Sequence, residues 1–399
     1  MKPNAPSFSG FDHRARNGET LNVAFLGGSL TWGARATDPQ LTSYRALIGR
    51  HLREFYPKAH FYFWDAAIGG TNSQLAVFRL QRDVLLRQPD LVFIDFTVND
   101  HPFTVDAGRL AAYESLVRRC ILEAQAPVIQ MLLGLKQDLA TTPQQDRPLD
   151  REHKKISRAY NTGLGDATTW MRDNFLAGSA DPEQLWPYFP DVTHPGDKGY
   201  ALYAEAAWNA LREAIAQEKV CRAPEQMLHL STYSNWTRQR LTQIPLPKGW
   251  RAGLPHSAGV AFDFYMSRWL DDVLIASPGA EPIRLVVEGA VALLFGEATS
   301  LSGKLEVKID GQPVSKPDGI LSAQCAYGNG HWVPIIAADM DPAQRHLIEL
   351  TPLLEAGQEL RIESVCVAGP HRASVSPLDP SDEGEIFPCT QFNRKHSPR

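Results

Sequence analysis

Residues 21–33 read LNVAFLGGSLTWG, and the change of character at residue 27 decides the fold. Leu21–Leu26 is a short apolar run of strand length, followed by two glycines, a serine and the start of a turn or helix. The same rhythm continues along the chain. Helical spacing covers Ser43–Phe55, a strand-like run Phe61–Ala67 follows, and Ser73–Arg87 is helical again. Leu91–Phe96 (LVFIDF) and Val128–Leu133 (VIQMLL) are continuous apolar runs separated by the helical segment Arg109–Ala124. Two further helical patterns cover Asp150–Asn174 and Gly196–Gln217. Strands that are apolar on both faces and alternate with helices predict a three-layer α/β/α domain with a parallel sheet, over residues 1–222.

Beyond residue 222 the texture changes. Residues 223–250, with prolines at 224, 245 and 247, are expected to be a linker. Residues 251–369 carry short alternating runs: Val260–Tyr265, Ile283–Glu288, Leu305–Ile309, His346–Leu350 and Leu360–Val367. Turn signals such as Asp310-Gly311 and Asn329-Gly330 separate some of them. That pattern predicts a β-sandwich or jelly roll. Residues 370–399, rich in proline, are expected to form an extended tail.

Composition bounds the function. The 399 residues include 40 Lys+Arg and 45 Asp+Glu, a net charge of −5, which argues against partnership with nucleic acid or an anionic membrane. With 43% hydrophobic and 21% charged residues the chain is globular, and it lacks any apolar run of about 18 residues. Cysteines 120, 221, 325, 366 and 389 are scattered without a C-x-x-C pair, so neither a disulfide framework nor a zinc site is expected. The opening MKPNAPSFSGFDHRARNG has no apolar signal region; together with the free thiols this sets a cytoplasmic expectation, the alternative being a secreted chain whose signal has been removed by processing. Oligomeric state is not legible.

In open α/β sheets ligands bind at the carboxyl ends of the strands, so the residues there are the candidates. The first strand runs into Gly27-Gly28-Ser29, the second into Gly69-Gly70-Thr71-Asn72-Ser73, and the third into Thr97-Val98-Asn99-Asp100. Asp191-Val192-Thr193-His194-Pro195 precedes the last helix. Taken singly, these are a turn, a helix cap, an Asx-turn and a loop. Taken in this order they supply a serine hydroxyl, a backbone N–H and a side-chain amide for an oxyanion, and an Asp that orients a His as base.

The four segments resemble the four sequence blocks of the SGNH (GDSL-type) hydrolases, over roughly residues 20–215. The resemblance implies Ser29 as nucleophile, His194 as general base and Asp191 as its orienting carboxylate. Ser29, Gly70 and Asn99 would supply the oxyanion donors, and no metal or other cofactor is implied. Two positions depart from the family pattern. Gly28 replaces the Asp of the GDS signature, removing a loop-stabilising carboxylate. Thr97 replaces the Gly before x-Asn-Asp and is expected to narrow the pocket.

The two-domain layout resembles that of carbohydrate acetylesterases, which implies an acetylated poly- or oligosaccharide as substrate. Trp186-Pro187-Tyr188-Phe189-Pro190 runs into the catalytic loop, so Trp32, Trp186 and Tyr188 are candidate sugar contacts, or else they pack the loop. Trp250, Trp269 and Trp332 are either a glycan platform in the second domain or core. The alternatives are a lipid, thioester or small-ester hydrolase of the same family, and a non-catalytic glycan-binding protein.

Overall fold

The computed structural model describes residues 6–140, 146–256, 269–314, 319–325 and 329–379. They form two units, one comprising residues up to Tyr233 and the other beginning at Ser234.

The first unit is built on five parallel strands: β1 (Thr20–Gly27), β2 (His60–Ala67), β3 (Leu91–Asp95), β4 (Val128–Leu132) and β5 (Gly163–Asp166), in the order β2-β1-β3-β4-β5. Its helices are α1 (Phe8–Arg16), α2 (Ser29–Trp32), α3 (Tyr44–Phe55), α4 (Ser73–Asp83), α5 (Ala107–Leu122), α6 (Lys136–Ala140), α7 (Pro148–Tyr160), α8 (Ala167–Leu176), α9 (Pro182–Leu185) and α10 (Asp197–Ala216). Helices α1, α3 and α8 pack on α10, while α4 and α7 pack on α5; right-handed crossovers place these two sets on opposite faces. Every residue of β3 and β4 is buried, as strands covered on both faces require. Side chains of Ser43, Asn72 and Asp106 accept from backbone N–H groups in the first turns of α3, α4 and α5, fixing where those helices start.

Register brings the site loops together. Gly27 pairs with both Ala67 and Asp95, so β1, β2 and β3 end side by side. The chain runs from β1 to β2 on one side and then to β3 on the other, which makes β1/β3 the switch point of the sheet. The fully buried Arg79 of α4 donates to the carbonyls of Ala66 (2.6 Å) and Gly27 (3.2 Å), tying the ends of β2 and β1 to one cation.

At the other margin the unit closes on itself. Ser7 and Val220 form an antiparallel bridge, Phe8 N–H donates to Lys219 O, and Cys221 N–H donates to Pro6 O.

Some expectations are corrected. The segment Asp150–Asn174, expected as one helix, is two helices with β5 between them. The four residues of that strand, GLGD, have too little apolar character to interrupt a helical pattern. The expected linker 223–250 is ordered into both units. The Leu228 and His229 N–H groups and the His229 ring donate to the buried Glu114, and the Ser115 hydroxyl donates to the carbonyl of the buried Tyr233. Asn235–Arg240 is then a strand, β6.

The second unit continues with β7 (Trp250–Gly253), β8 (Val273–Ala276), β9 (Ile283–Glu288), β10 (Val291–Ala298), β11 (Lys304–Ile309), β12 (Gln312–Pro313), β13 (Ile320–Ser322), β14 (Gly330–Trp332), β15 (Ile335–Ala337), β16 (Arg345–Leu353), β17 (Leu360–Gly369) and β18 (Ser374–Pro377). One antiparallel sheet runs β14-β10-β17-β8-β7, with β15 on β10 and β6 on β17; the other runs β12-β11-β16-β9-β18, with β13 on β11. Leu285, Val307 and Ile348 of one sheet and Leu294, Ile362 and Val367 of the other share a single buried core, which makes the unit a sandwich. Trp250 and Trp332 belong to this core and each donates its indole N–H to a carbonyl, of Glu281 and Ser322, while Trp269 is also buried. None of the three is an exposed platform. The expected strand Val260–Tyr265 lies outside the described residues. The first part of the expected tail supplies β18, and residues 380–399 also lie outside.

Candidate active site

Ser29 opens α2, directly beyond β1, and is 6% exposed. Its Oγ lies 2.8 Å from Nε2 of His194, which is 165 residues further along the chain. The other ring nitrogen, Nδ1, lies 2.9 Å from Asp191 Oδ2 and 3.2 Å from Oδ1. With Nδ1–H donating to the carboxylate, Nε2 is left to accept the serine proton.

The loop that carries Asp191 and His194 is internally braced. The N–H groups of Thr193 and His194 both donate to Asp191 Oδ1 at 3.0 Å, and Asp191 N–H donates to Tyr188 O. Lys136 N–H donates to Val192 O, which holds the loop to the start of α6. Burial pushes the Asp191 carboxyl up, but hydrogen bonds from the backbone and ring of His194 and from Arg35 outweigh it and hold it down at about 2. The carboxylate is therefore ionised beside the imidazole at any pH near neutral.

The sequence gives no signal for Arg35. Its Nε donates to Asp191 Oδ2 at 3.1 Å, and its guanidinium sits 5.7 Å from the Tyr188 ring centre. The residue adopts a left-handed backbone, φ 69°, so the loop beyond α2 turns it back toward the site.

The oxyanion candidates lie on the two neighbouring loops. Gly70 is exposed and has φ 71°, a conformation that favours glycine, whereas Gly69 is buried. Asn99 is half-buried, and its amide makes no hydrogen bond to the described residues. Next to it, Asp100 is 1% exposed and accepts from Ser73 N–H at 3.0 Å, joining the Asn99 loop to the start of α4. Burial pushes Asp100 up to about 7 against that hydrogen bond, and its Oδ2 is buried without a partner. Thr97 does not narrow the pocket as expected. It is fully buried, its N–H and hydroxyl donate to Asp95 Oδ1, and the hydroxyl also lies 3.1 Å from Met131 O.

The aromatic candidates divide. Trp32 and Trp186 are 4% and 1% exposed and pack the loops, so neither offers a stacking face. Tyr188 is 36% exposed, and Phe189, beside it, is 90% exposed. Among the described residues no group of three or more His, Cys, Asp or Glu side chains is placed to hold a metal ion. Burial pushes the thiols of Cys120, Cys221 and Cys366 up to about 12, which leaves them unreactive near neutral pH.

A two-domain esterase (CEX) active on acetylated mannans, crystallised with mannopentaose, superposes with a TM-score of 0.72 at 24% identity, over 90% of this chain and 94% of that one. A second crystal structure of that esterase gives 0.69 at 24% identity over the same shares. The common fold thus spans both units in kind. The ribosomal RNA large subunit methyltransferase E of Cupriavidus pinatubonensis (strain JMP 134 / LMG 1197) is 25% identical over 173 residues, 36% of this chain and 73% of that protein, too little to assign a family. The model of the GDSL-like lipase/acylhydrolase family matches residues 25–202, which contain Ser29, Asn99, Asp191 and His194. That stretch, a little under half of the chain, is thus similar to the GDSL-like lipase/acylhydrolases.

Proposed function

We propose that the protein is a serine esterase that removes acetyl groups from a poly- or oligosaccharide. One observation carries the reading: the unbroken line of hydrogen bonds from Ser29 Oγ through His194 to Asp191. His194 Nε2 takes the hydroxyl proton as Ser29 Oγ attacks the acetyl carbonyl, and Asp191 stabilises the imidazolium. The N–H groups of Ser29 and Gly70 and the Asn99 amide receive the oxyanion. Collapse breaks the ester bond, and His194 returns the proton to the departing sugar oxygen. Water, deprotonated by His194, then attacks the acetyl-enzyme, releasing acetate and restoring Ser29. The fold shared with an esterase active on acetylated mannans supports a carbohydrate ester, and the exposed Tyr188 and Phe189 supply faces for a pyranose.

The test is acetate release from acetylated mannan, xylan, pectin and chito-oligosaccharides, with 4-nitrophenyl acetate and butyrate alongside, for wild type and Ser29→Ala. Release from a glycan, lost in Ser29→Ala, is the expected result. Ser29-dependent activity confined to longer acyl esters would move the substrate to lipids or thioesters. Hydrolysis of none of them would favour a non-catalytic glycan-binding role.

A further inference from the structure

Gly28 stands where the family signature has a carboxylate, and the backbone there does not explain the glycine. Its φ of −101° and ψ of −153° lie in the extended region, unlike the left-handed Gly70. Space explains it. A Cβ built on Gly28 would fall 2.1 Å from Asn99 Oδ1 and 3.2 Å from Asn99 Cγ, with Thr71 O at 3.6 Å. The Asn99 amide therefore occupies the volume that a side chain at 28 would fill, one residue from the nucleophile.

We propose that Gly28 is a positioning residue of the oxyanion hole, the missing side chain being what lets the Asn99 amide lie against the β1 loop. This inference rests on the reading of Asn99 as an oxyanion donor. With the oxygen of the amide against the Gly28 backbone, the nitrogen is turned away from that backbone and is available as a donor. Any side chain at 28 pushes the amide out. The chain has in this way exchanged a loop-stabilising carboxylate for room beside Asn99.

A double-mutant cycle on 4-nitrophenyl acetate tests this, using the full chain. Losing one oxyanion donor typically lowers kcat by about 10²–10³, so Asn99→Ala is expected in that range and Gly28→Ala at about tenfold or more, both with KM within about twofold of wild type. In the Asn99→Ala background, Gly28→Ala should change kcat by less than about twofold, because the group it displaces is gone. Should Gly28→Ala alone fail to fold, the Gly28→Ala/Asn99→Ala protein, in which the amide is removed, should fold. Wild-type kcat in Gly28→Ala overturns the proposal. Independent, multiplicative losses in the cycle overturn it too, as does a double variant no better folded than Gly28→Ala. Ser29→Ala in the same assay separates the two readings. If it is inactive while the cycle is multiplicative, only the role of Gly28 is wrong; if it stays active, the esterase site itself is misassigned and the inference falls with it.

Discussion

Asp191 is held by three residues, and they do different work. The backbone N–H groups of Thr193 and His194 fix one oxygen, while His194 Nδ1 and Arg35 share the other. Asp191→Asn keeps the shape but replaces one acceptor oxygen with a donor and removes the charge that selects the His194 tautomer. By the behaviour of such triads kcat should fall by about 10⁴ with folding intact, as read by steady-state kinetics beside a thermal melt. Phe189, 90% exposed in the loop that leads into Asp191, lies next to the partly exposed Tyr188. Phe189→Ala should raise KM for the acetylated polymer several-fold while leaving turnover of 4-nitrophenyl acetate unchanged; equal effects on both would remove it from polymer binding. At this scale the sequence was legible where chemistry comes in short motifs. Ser29 sits at a strand end and Asp191 three positions before His194. Arg35 was not legible, because its partner lies 156 residues away and nothing in the local pattern marks its left-handed turn. Nor does the run Trp186–Pro190 say which ring faces outward, and the largest one turns inward.

Between elements, the buried acids at the end of β3 set how stability responds to pH. Burial pushes Asp95 up to about 6 and Asp100 up to about 7, while hydrogen bonds from Thr97 and Ser73 act against it. In the unfolded chain both titrate near 3.8. The folded state therefore binds these protons more tightly. The stability they contribute is complete below about 3.8 and is lost as pH rises through about 6 to 7. Asp191, held low, works in the opposite sense only as pH falls from 3.8 toward about 2. Asp100→Asn, which cannot ionise, should show a smaller drop in melting temperature between pH 5 and pH 8 than wild type. An unchanged drop would mean that Asp100 is ionised throughout. Elements were legible where periodicity was long and uniform, as in α3, α10, β3 and β4. The short β5, with two glycines in four residues, has no such signal and exists because it pairs with β4.

Across the whole molecule, each unit has its own buried core. Leu294, fully buried in β10, packs with residues of both sheets of the sandwich. Leu294→Ala should cost about 2–5 kcal/mol in the stability of that unit, measured by calorimetry against wild type. A smaller loss would mean that the sandwich closes over the gap. The class of this unit was legible from its short runs and turn dipeptides, but its boundary was not. The proline-rich stretch after residue 222 looks like a tether, and only pairing with distant partners reveals it as structure: Glu114 for Leu228 and His229, and β17 for β6.

The seam between residues 6–8 and 219–221 has a mechanical consequence. Because the two segments run antiparallel, the chain leaves the seam in both directions from the same end. Tension applied between the N-terminal side of Pro6 and the C-terminal side of Cys221 would load its hydrogen bonds one after another, as in opening a zipper, and not all at once, as in shear. Under load the α/β unit should therefore yield first at this margin, with β1 and the site loops strained only after the seam has opened.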